Sequence, residues 1–257
     1  MKDRLRSAFL FCAAGLAWAL LSVPSRAQEL ERRPNNAPQL SEAQSQAQNP
    51  DPSGPTFDRE TGGSNDRLFW ALPNFLTLEN AHNVPPLTSE QKFKLVVRQT
   101  LDPAQFPFFG FLAGISQADN SESGYGQGAA GYARRFGSNF ADGTSESFFV
   151  QAIFPSLFQQ DPRYYQDGKG TFWRRAGYAV SRIAVTRNDT GRMAFNISEV
   201  AGSGMAAAIS NTYHPPSDRK LPNTIETWAA MMSWDAVTNM LKEFWPDIRR
   251  KVHQRKE

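Results

Sequence analysis

Cysteine is nearly absent from this chain of 257 residues, in which Cys12 is the only one. One cysteine can form no disulfide within the chain, and it cannot supply the set of thiolates that a structural zinc site needs. Cys12 also lies inside an apolar run and not after it, which is unlike a cysteine that carries a lipid. We therefore expect a packed core, without disulfides or thiolate-bound metal, to stabilise the folded part.

Histidine and the common catalytic motifs are scarce as well. His82, His214 and His253 lie far apart in the sequence, and no two of them have the spacing of a metal site on one helix. The chain has no G-x-S-x-G nucleophile elbow, no phosphate-binding P-loop and no dinucleotide-binding fingerprint. The sequence thus predicts no metal and no cofactor, and it identifies no reaction.

Beyond the amino terminus, the chain also lacks apolar runs of bilayer length and a strong excess of one charge. Its longest uncharged stretches, residues 103–118 and 200–217, fall short of the roughly 20 apolar residues that span a bilayer. The formal charge is only +3 and no basic stripe marks the interior, so we predict no nucleic-acid partner. Basic residues concentrate in a tail, residues 249–257, which we expect either to lie on an anionic membrane surface or to be solvated.

The amino terminus has the three parts of a secretory signal peptide. A basic start with Lys2 is followed by an apolar run at residues 8–23, and Ser25 and Ala27 place small residues three and one before the expected cut. The apolar run of about 16 residues is shorter than a membrane span. We predict that residues 1–27 are removed and that the protein is exported to the periplasm or the outer membrane.

A change of composition separates a linker from the folded part. Residues 28–66 consist mainly of Gln, Asn, Pro, Ser, Glu and Gly, and almost no aromatic residue appears before Phe57. Such a segment cannot bury enough apolar surface to offset the entropy of ordering it, so we predict a disordered linker. Aromatic and aliphatic residues arrive together after Arg67, and we predict one helical domain at residues 67–248.

Two helices are predicted at the start of this domain. The sequence from Thr88 to Gln91 has the form of a capping box, which predicts a helix that runs to about Thr100. Phe93, Val96, Val97 and Thr100 fall on one face of this helix by its period. Asp102 and Pro103 are typical of the start of a second helix, which is apolar nearly all round and is expected to be buried in protein or dipped into lipid.

The middle of the domain is ambiguous. Residues 124–140 are rich in glycine and alanine, and we favour a helix over a loop, with Gly124 and Gly128 allowing the close approach of a second helix. Residues 171–187 show apolar residues at helical spacing, although the turn at residues 188–191 also fits a hairpin between two strands.

Two further helices complete the prediction. Residues 196–211 favour a helix of small residues, and Asn223, with Glu226 three residues later, is typical of the cap of a last long helix that Pro246 should kink or end. We predict a mainly α fold, a single bundle of five to seven helices.

Polar residues placed among apolar and small ones are the candidates for a site. Buried charges must be paired, because an isolated charge in a protein interior is very costly. We name Glu199 as a candidate acid or base, with Arg182 and Asp189 as its candidate partners. The same residues also fit a purely structural network that fixes how the helices pack.

Several phrases of the sequence support a resemblance. They are YGQGAAGY at residues 125–132, DPRYY at 161–165, AFNISE at 194–199, ISNTYHP at 209–215 and EFWPDI at 243–248. Together they resemble a group of exported bacterial envelope proteins of unassigned function, over roughly residues 67–250. The resemblance implies an envelope location, but no activity, cofactor or catalytic residue.

The sequence therefore predicts an exported cell-envelope protein with a structural or interaction role. We expect association with a membrane surface or lipid through the aromatic helices or the basic tail, and an envelope protein is the other partner that we consider. One alternative is an envelope hydrolase or lipid-modifying enzyme with its polar site around Glu199. Another is an outer-membrane β-barrel, which the turn at residues 188–191 and the abundant glycine and aromatic residues suggest.

Overall fold

The computed structural model describes residues 67–68, 72–79 and 84–254, which belong to one compact unit from Glu60 to Glu257. The predicted signal peptide, the predicted linker and His82 lie outside the described residues. Six of the helices have ten residues or more, which confirms the mainly α fold with five to seven helices. The helices are α1 Ser89–Thr100, α2 Gln105–Asp119, α3 Gly128–Phe148, α4 Phe154–Leu157, α5 Phe172–Ser181, α6 Ile197–Ser210 and α7 Leu221–Gln254.

Short strands border the helices. They are β1 Arg67–Leu68, β2 Leu72–Pro73, β3 Thr77–Leu78, β4 Gln160–Asp161, β5 Tyr164–Tyr165, β6 Val185–Asn188 and β7 Met193–Phe195. β1 pairs with β2 in an antiparallel arrangement, β3 pairs with β5 in a parallel one, and β4, β6 and β7 form a small antiparallel sheet in that order. β6 and β7 of this sheet follow α5 in the chain and lead into α6, whereas β4 precedes α5.

α1 begins as predicted, but only part of its predicted face is buried. The Thr88 hydroxyl accepts a hydrogen bond from the Gln91 backbone N–H, and the Gln91 side chain accepts one from the Thr88 backbone N–H. The buried residues of α1 are Lys92, Leu95 and Val96. Val96 of the predicted face is therefore buried, but Phe93 and Val97 are exposed. The buried side of the helix is shifted towards Lys92, whose ion pair is described below.

α2 begins three residues later than Asp102 and lies at the surface. The Asp102 carboxylate accepts from the Ala104 backbone N–H at 2.9 Å, and it also binds the Arg67 guanidinium through both oxygens. Ala113 is the only fully buried residue of α2. This apolar helix packs one of its faces against α3 and leaves its other face open.

The glycine-rich segment is part turn and part helix. A 3-10 turn occupies Ser123–Tyr125, and α3 starts at Gly128, where φ is +75°. Gly124 and Gly128 therefore do not lie together on one helix, where they were predicted to allow the close approach of a second helix. The close approach is made by Gly143 instead, because a Cβ there would lie 2.6 Å from the Phe109 ring of α2.

α3 continues without a break into a π-helical segment, Phe149–Ile153, and then into α4. A π-helical turn contains wider hydrogen-bonded rings than an α-helix and is frequent at functional sites. Gly202 of α6 packs against this segment, since a Cβ at that position would lie 3.1 Å from Val150 and Phe154 and 3.2 Å from the backbone of Phe149.

The segment predicted as a helix over residues 171–187 is shorter, and the competing hairpin is present. α5 ends at Ser181, and β6 pairs with β7 across the turn at residues 188–191. The strand forms because β4 supplies a second partner for β6, which pairs Asp161 with Arg187, and this partner lies far away in the sequence.

α6 matches its prediction, with Asn196 as cap, but the start of α7 does not. α7 begins at Leu221, ahead of Asn223, and passes through Pro246 to Gln254. Pro246 donates no bond to the carbonyl of the preceding turn. The helix nevertheless continues. In the turn before Pro246, the side chains of Gln166 and Arg175 both donate to the Glu243 carbonyl oxygen.

None of the helices that the structure describes combines enough residues with enough apolar character to cross a bilayer. Arg249, Arg250 and Lys251 of the predicted tail belong to α7, where Arg249 pairs with Glu79 and Arg250 with Asp247.

Candidate functional site

A polar cavity of about 80 Å³ opens between α6, α7, the π-helical segment and the sheet formed by β4, β6 and β7. Such a volume holds a few water molecules or one small polar group. The charged residues that line the cavity are Asp161, Arg163, Arg182, Arg187, Glu199, Asp235 and Lys242.

Two amide side chains hold the walls of this cavity together. Gln160 on β4 donates to the Phe195 carbonyl at 2.6 Å and accepts from both the backbone N–H and the hydroxyl of Ser198. Asn196 accepts from the Glu199 N–H at 3.1 Å and donates to the Arg182 carbonyl at 2.9 Å. The start of α6, and Glu199 with it, is thereby fixed against the sheet and the end of α5.

Glu199 and Asp235 form a pair of carboxyl groups on the cavity wall. Glu199 is only 7% exposed, and its Oε1 accepts no hydrogen bond from any donor among the described residues. Burial raises the pKa of Glu199 well above its ordinary value, and the charge of Asp235 and a hydrogen bond with it raise that pKa further. Since a hydrogen bond between two carboxyl groups needs a proton, one of the pair is protonated.

We assign the shared proton to Glu199, because the hydrogen bond between the two carboxyl groups raises the pKa of Glu199 and lowers that of Asp235. Burial nevertheless leaves the pKa of Asp235 above its ordinary value, since this hydrogen bond and the charge of Lys242 offset only part of its effect. Burial lowers the pKa of Lys242 below its ordinary value, and the nearby Asp235 and Glu199 offset part of that effect. Burial thus favours the neutral form of all three groups, and the hydrogen bond separates the roles of the two carboxyl groups.

A third carboxyl group lies behind this pair on α3. Burial, together with the charges of Asp235 and Asp142, raises the pKa of Glu146 to about 9. Its Oε1 also accepts no hydrogen bond from the described residues, and the same holds for Gln151 Oε1 in the π-helical segment. Gln151 and Glu199 thus leave acceptors without donors on the cavity wall.

The floor of the cavity is fully paired. Arg163 and Asp161 form a buried ion pair with 2.6 Å between Nη2 and Oδ2, and the Tyr165 hydroxyl donates to the same carboxylate at 2.7 Å. Arg163 also donates to the Pro85 carbonyl. Because these groups bond to one another, they hold the strands in place. They do not face the cavity as free donors.

The structure brings together two of the three residues that the sequence named. Glu199 and Arg182 both line the cavity. Asp189 lies in another place, where its two carboxylate oxygens are 3.0 and 2.9 Å from the Lys92 amine, which also donates to the Pro155 carbonyl. Since Lys92 is 1% exposed, Asp189 neutralises a buried cation.

Sequence reasoning missed Asp235 and Lys242. A signal was present for both, because residues seven apart lie on the same face of a helix. Arg187 stands with Arg182 and Asp189 among the charged residues that end the helix predicted over residues 171–187, but it was not named as a site residue, and it reaches the cavity through the pairing of β6 with β4.

A separate polar cluster surrounds His214. Its Nε2 is 2.9 Å from Asp142 and its Nδ1 is 3.4 Å from Glu122, while the Tyr213 hydroxyl donates to Asp142 at 2.6 Å. Burial lowers the pKa of His214, but the two carboxylates outweigh it and raise the pKa to about 10. The imidazolium is therefore held as the cation between α3 and the segment that leads to α7.

In the part of the chain that the structure describes, no three His, Cys, Asp or Glu residues come together as metal ligands. No protein-family model, curated protein or solved structure matches this chain.

Proposed function

We propose that this chain is an exported cell-envelope hydrolase whose active site is the cavity at Glu199. The observation that carries this proposal is the juxtaposition of Glu199, Asp235 and Lys242 on one cavity, where burial raises the pKa of Glu199 well above its ordinary value. Export to the envelope rests on the predicted signal peptide and on the resemblance of the sequence phrases to exported bacterial proteins.

The three groups fit the steps of a hydrolysis. Asp235 takes a proton from a water molecule that attacks the substrate, and Glu199 gives its proton to the leaving group as the bond breaks. Lys242 stabilises the negative charge that develops on the attacked group. Such a division of roles needs one carboxyl that holds its proton at neutral pH and one that does not.

The test is a screen of the purified protein against chromogenic carboxylic esters, phosphate esters and glycosides. We expect hydrolysis of at least one class, reduced roughly 100-fold or more in Glu199→Gln, because general acid catalysis contributes about 10²–10⁴-fold. Asp235→Asn should lose activity to a similar extent. The matched control is Glu90→Gln, which removes a carboxylate that is 74% exposed at the start of α1.

The same variants separate catalysis from structure. Glutamine is neutral and nearly isosteric with a protonated glutamic acid, so Glu199→Gln should change the free energy of unfolding by less than about 1 kcal/mol. If no ester or glycoside is hydrolysed, or if hydrolysis survives both substitutions, the proposal is wrong. A large loss of stability in Glu199→Gln would mark this residue as part of a structural network.

A second candidate function is association with a membrane surface through α2. An open apolar groove of about 610 Å³ lies between α2 and α3, and Phe111, which is 67% exposed, stands at its edge. α2 has no charged residue before Asp119, and the exposed Arg134 follows Tyr132 of the groove by two residues on α3. Exposed aromatic rings beside a basic residue are typical of helices that lie in a bilayer interface.

Vesicle flotation tests this second function. We expect the protein to float with vesicles of phosphatidylethanolamine and phosphatidylglycerol, and Phe111→Ser to reduce the bound fraction. Trp173→Ser is the control, because Trp173 is 81% exposed but lies on α5, outside the groove. Equal binding by both variants, or none by the wild type, would rule out this groove as the contact; envelope proteins then remain as partners to be tested.

A further inference from the structure

Two guanidinium groups on the cavity wall lack a carboxylate partner. Arg182 comes from the end of α5 and Arg187 from β6, and neither makes an ion pair with any residue that the structure describes. The Nε atoms of both side chains are inaccessible to solvent and have no hydrogen-bond partner there. They contrast with Arg163 on the same cavity, whose guanidinium is bound on several sides.

Aromatic rings hold both groups in place. The Arg182 guanidinium carbon lies 4.6 Å from the centre of the Tyr178 ring, and that of Arg187 lies 4.4 Å from the centre of the Tyr165 ring. Stacking fixes the plane of a guanidinium and leaves its edge, with the N–H donors, free. The one hydrogen bond of the Arg182 side chain among the described residues is a weak one to Met193 Sδ at 3.9 Å.

Unpaired cations in a partly desolvated position are costly, and a bound anion would remove that cost. Two planar forks that line one cavity match the oxygen atoms of a carboxylate or a phosphate group. Asp235 lines the same cavity, and its carboxylate would repel an anion that came close to it, so the bound anionic group must lie on the side of the two arginines.

We propose that Arg182 and Arg187 form an oxyanion-binding subsite, so that the molecule bound in this cavity carries a carboxylate or phosphate group. This subsite adds a binding role to the hydrolase proposal. The statement that the bound molecule is a substrate rests on that proposal. The arginines act in binding and positioning, and the acid–base step remains with Glu199 and Asp235.

Calorimetric titration of the purified protein with inorganic phosphate and with acetate tests the subsite, with chloride at equal ionic strength as the reference. We expect one or both anions to bind beyond the chloride effect, and the tighter one identifies the group on the substrate. Arg182→Gln and Arg187→Gln should each weaken binding about tenfold or more, because each removes charge-assisted hydrogen bonds to the anion.

Arg192→Gln is the matched control, because Arg192 lies in the same hairpin but is exposed and outside the cavity. This variant should bind both anions as the wild type does. Arg187→Lys keeps the charge without the fork and should bind with intermediate affinity, which gives a readout even if Arg187→Gln does not fold. The absence of binding in the wild type, or equal affinities in the wild type and the cavity variants, overturns the subsite.

The two proposals fail in different ways. If hydrolysis depends on Glu199 but neither anion binds, the subsite is wrong and the hydrolase proposal stands. If phosphate or acetate binding depends on the two arginines but no Glu199-dependent hydrolysis is found, the subsite stands as part of a binding protein and the hydrolase proposal is wrong.

Discussion

Arg175 on α5 and Glu243 on α7 form a buried ion pair, with the Arg175 Nε donating to Glu243 Oε1 at 2.8 Å. The Glu243 side chain has no exposed area and also accepts from the Tyr164 hydroxyl and from the backbone N–H groups of Asp167 and Gly168. One carboxylate therefore joins the last long helix to α5, to Tyr164 of β5 and to the segment that follows β5.

Replacing this carboxylate should destabilise the whole unit. Glu243→Gln removes one charge and turns an acceptor into a donor that faces other donors, so we expect a loss of about 3–5 kcal/mol in the free energy of unfolding. Urea unfolding measures it. Asp247→Asn is the comparison, because Asp247 also pairs with Arg175 but is 32% exposed, and its loss should cost about 1 kcal/mol or less. Equal losses in the two variants would contradict this role of Glu243.

The contact of Gly202 with the π-helical segment sets the shape of the cavity wall. Gly202→Ala places a methyl group within 3.2 Å of three neighbours, so we expect it to cost about 1–3 kcal/mol of stability. Gly137→Ala in α3 meets no atom within 4 Å and should instead stabilise the protein by roughly 0.5–1 kcal/mol, because glycine is a poor helix former. Thermal unfolding of both variants checks this, and the same sign for both would refute the packing assignment.

The charge on His214 predicts a pH dependence of stability. Its pKa is about 10 in the folded state and near 6.5 in an unfolded chain, so the folded state retains its proton over this window. The stabilisation is complete below about pH 6.5 and is lost as pH rises through about 10. His214→Gln should therefore destabilise the protein at pH 6 and have little effect on stability near pH 10.5, as measured by urea unfolding. A difference between wild type and variant that does not change with pH would show that the imidazole is neutral in the folded state.

Asp189 should act in stability and not in catalysis. Asp189→Asn leaves the buried Lys92 amine without its carboxylate, and we expect a loss of about 3 kcal/mol. Adding Lys92→Met should recover part of this loss, because an apolar side chain needs no partner there. Hydrolysis per folded molecule should stay at the level of the wild type. Reduced hydrolysis with unchanged stability would place Asp189 in the active site.

The sequence by itself determined the structural features that depend on residues close together along the chain. The capping box of Thr88 and Gln91, the Asn196 cap with its helix of small residues, and the mainly helical character all follow from local spacing, and the structure confirms them. Glu199 and Arg182 could be named because charged residues among small and apolar ones stand out in any sequence.

Tertiary structure alone decided which charges meet. Lys92 selects the buried face of α1 by pairing with Asp189, 97 residues away, and β4 turns the end of a predicted helix into a strand that carries Arg187 to the cavity. Glu243 supports α7 through contacts with residues about 75 positions earlier. Such pairings depend on desolvation and on distances in space, and the local periodicity of a sequence carries no information about either. The pairing of Glu199 with Asp235 and Lys242 was therefore visible only in the folded chain.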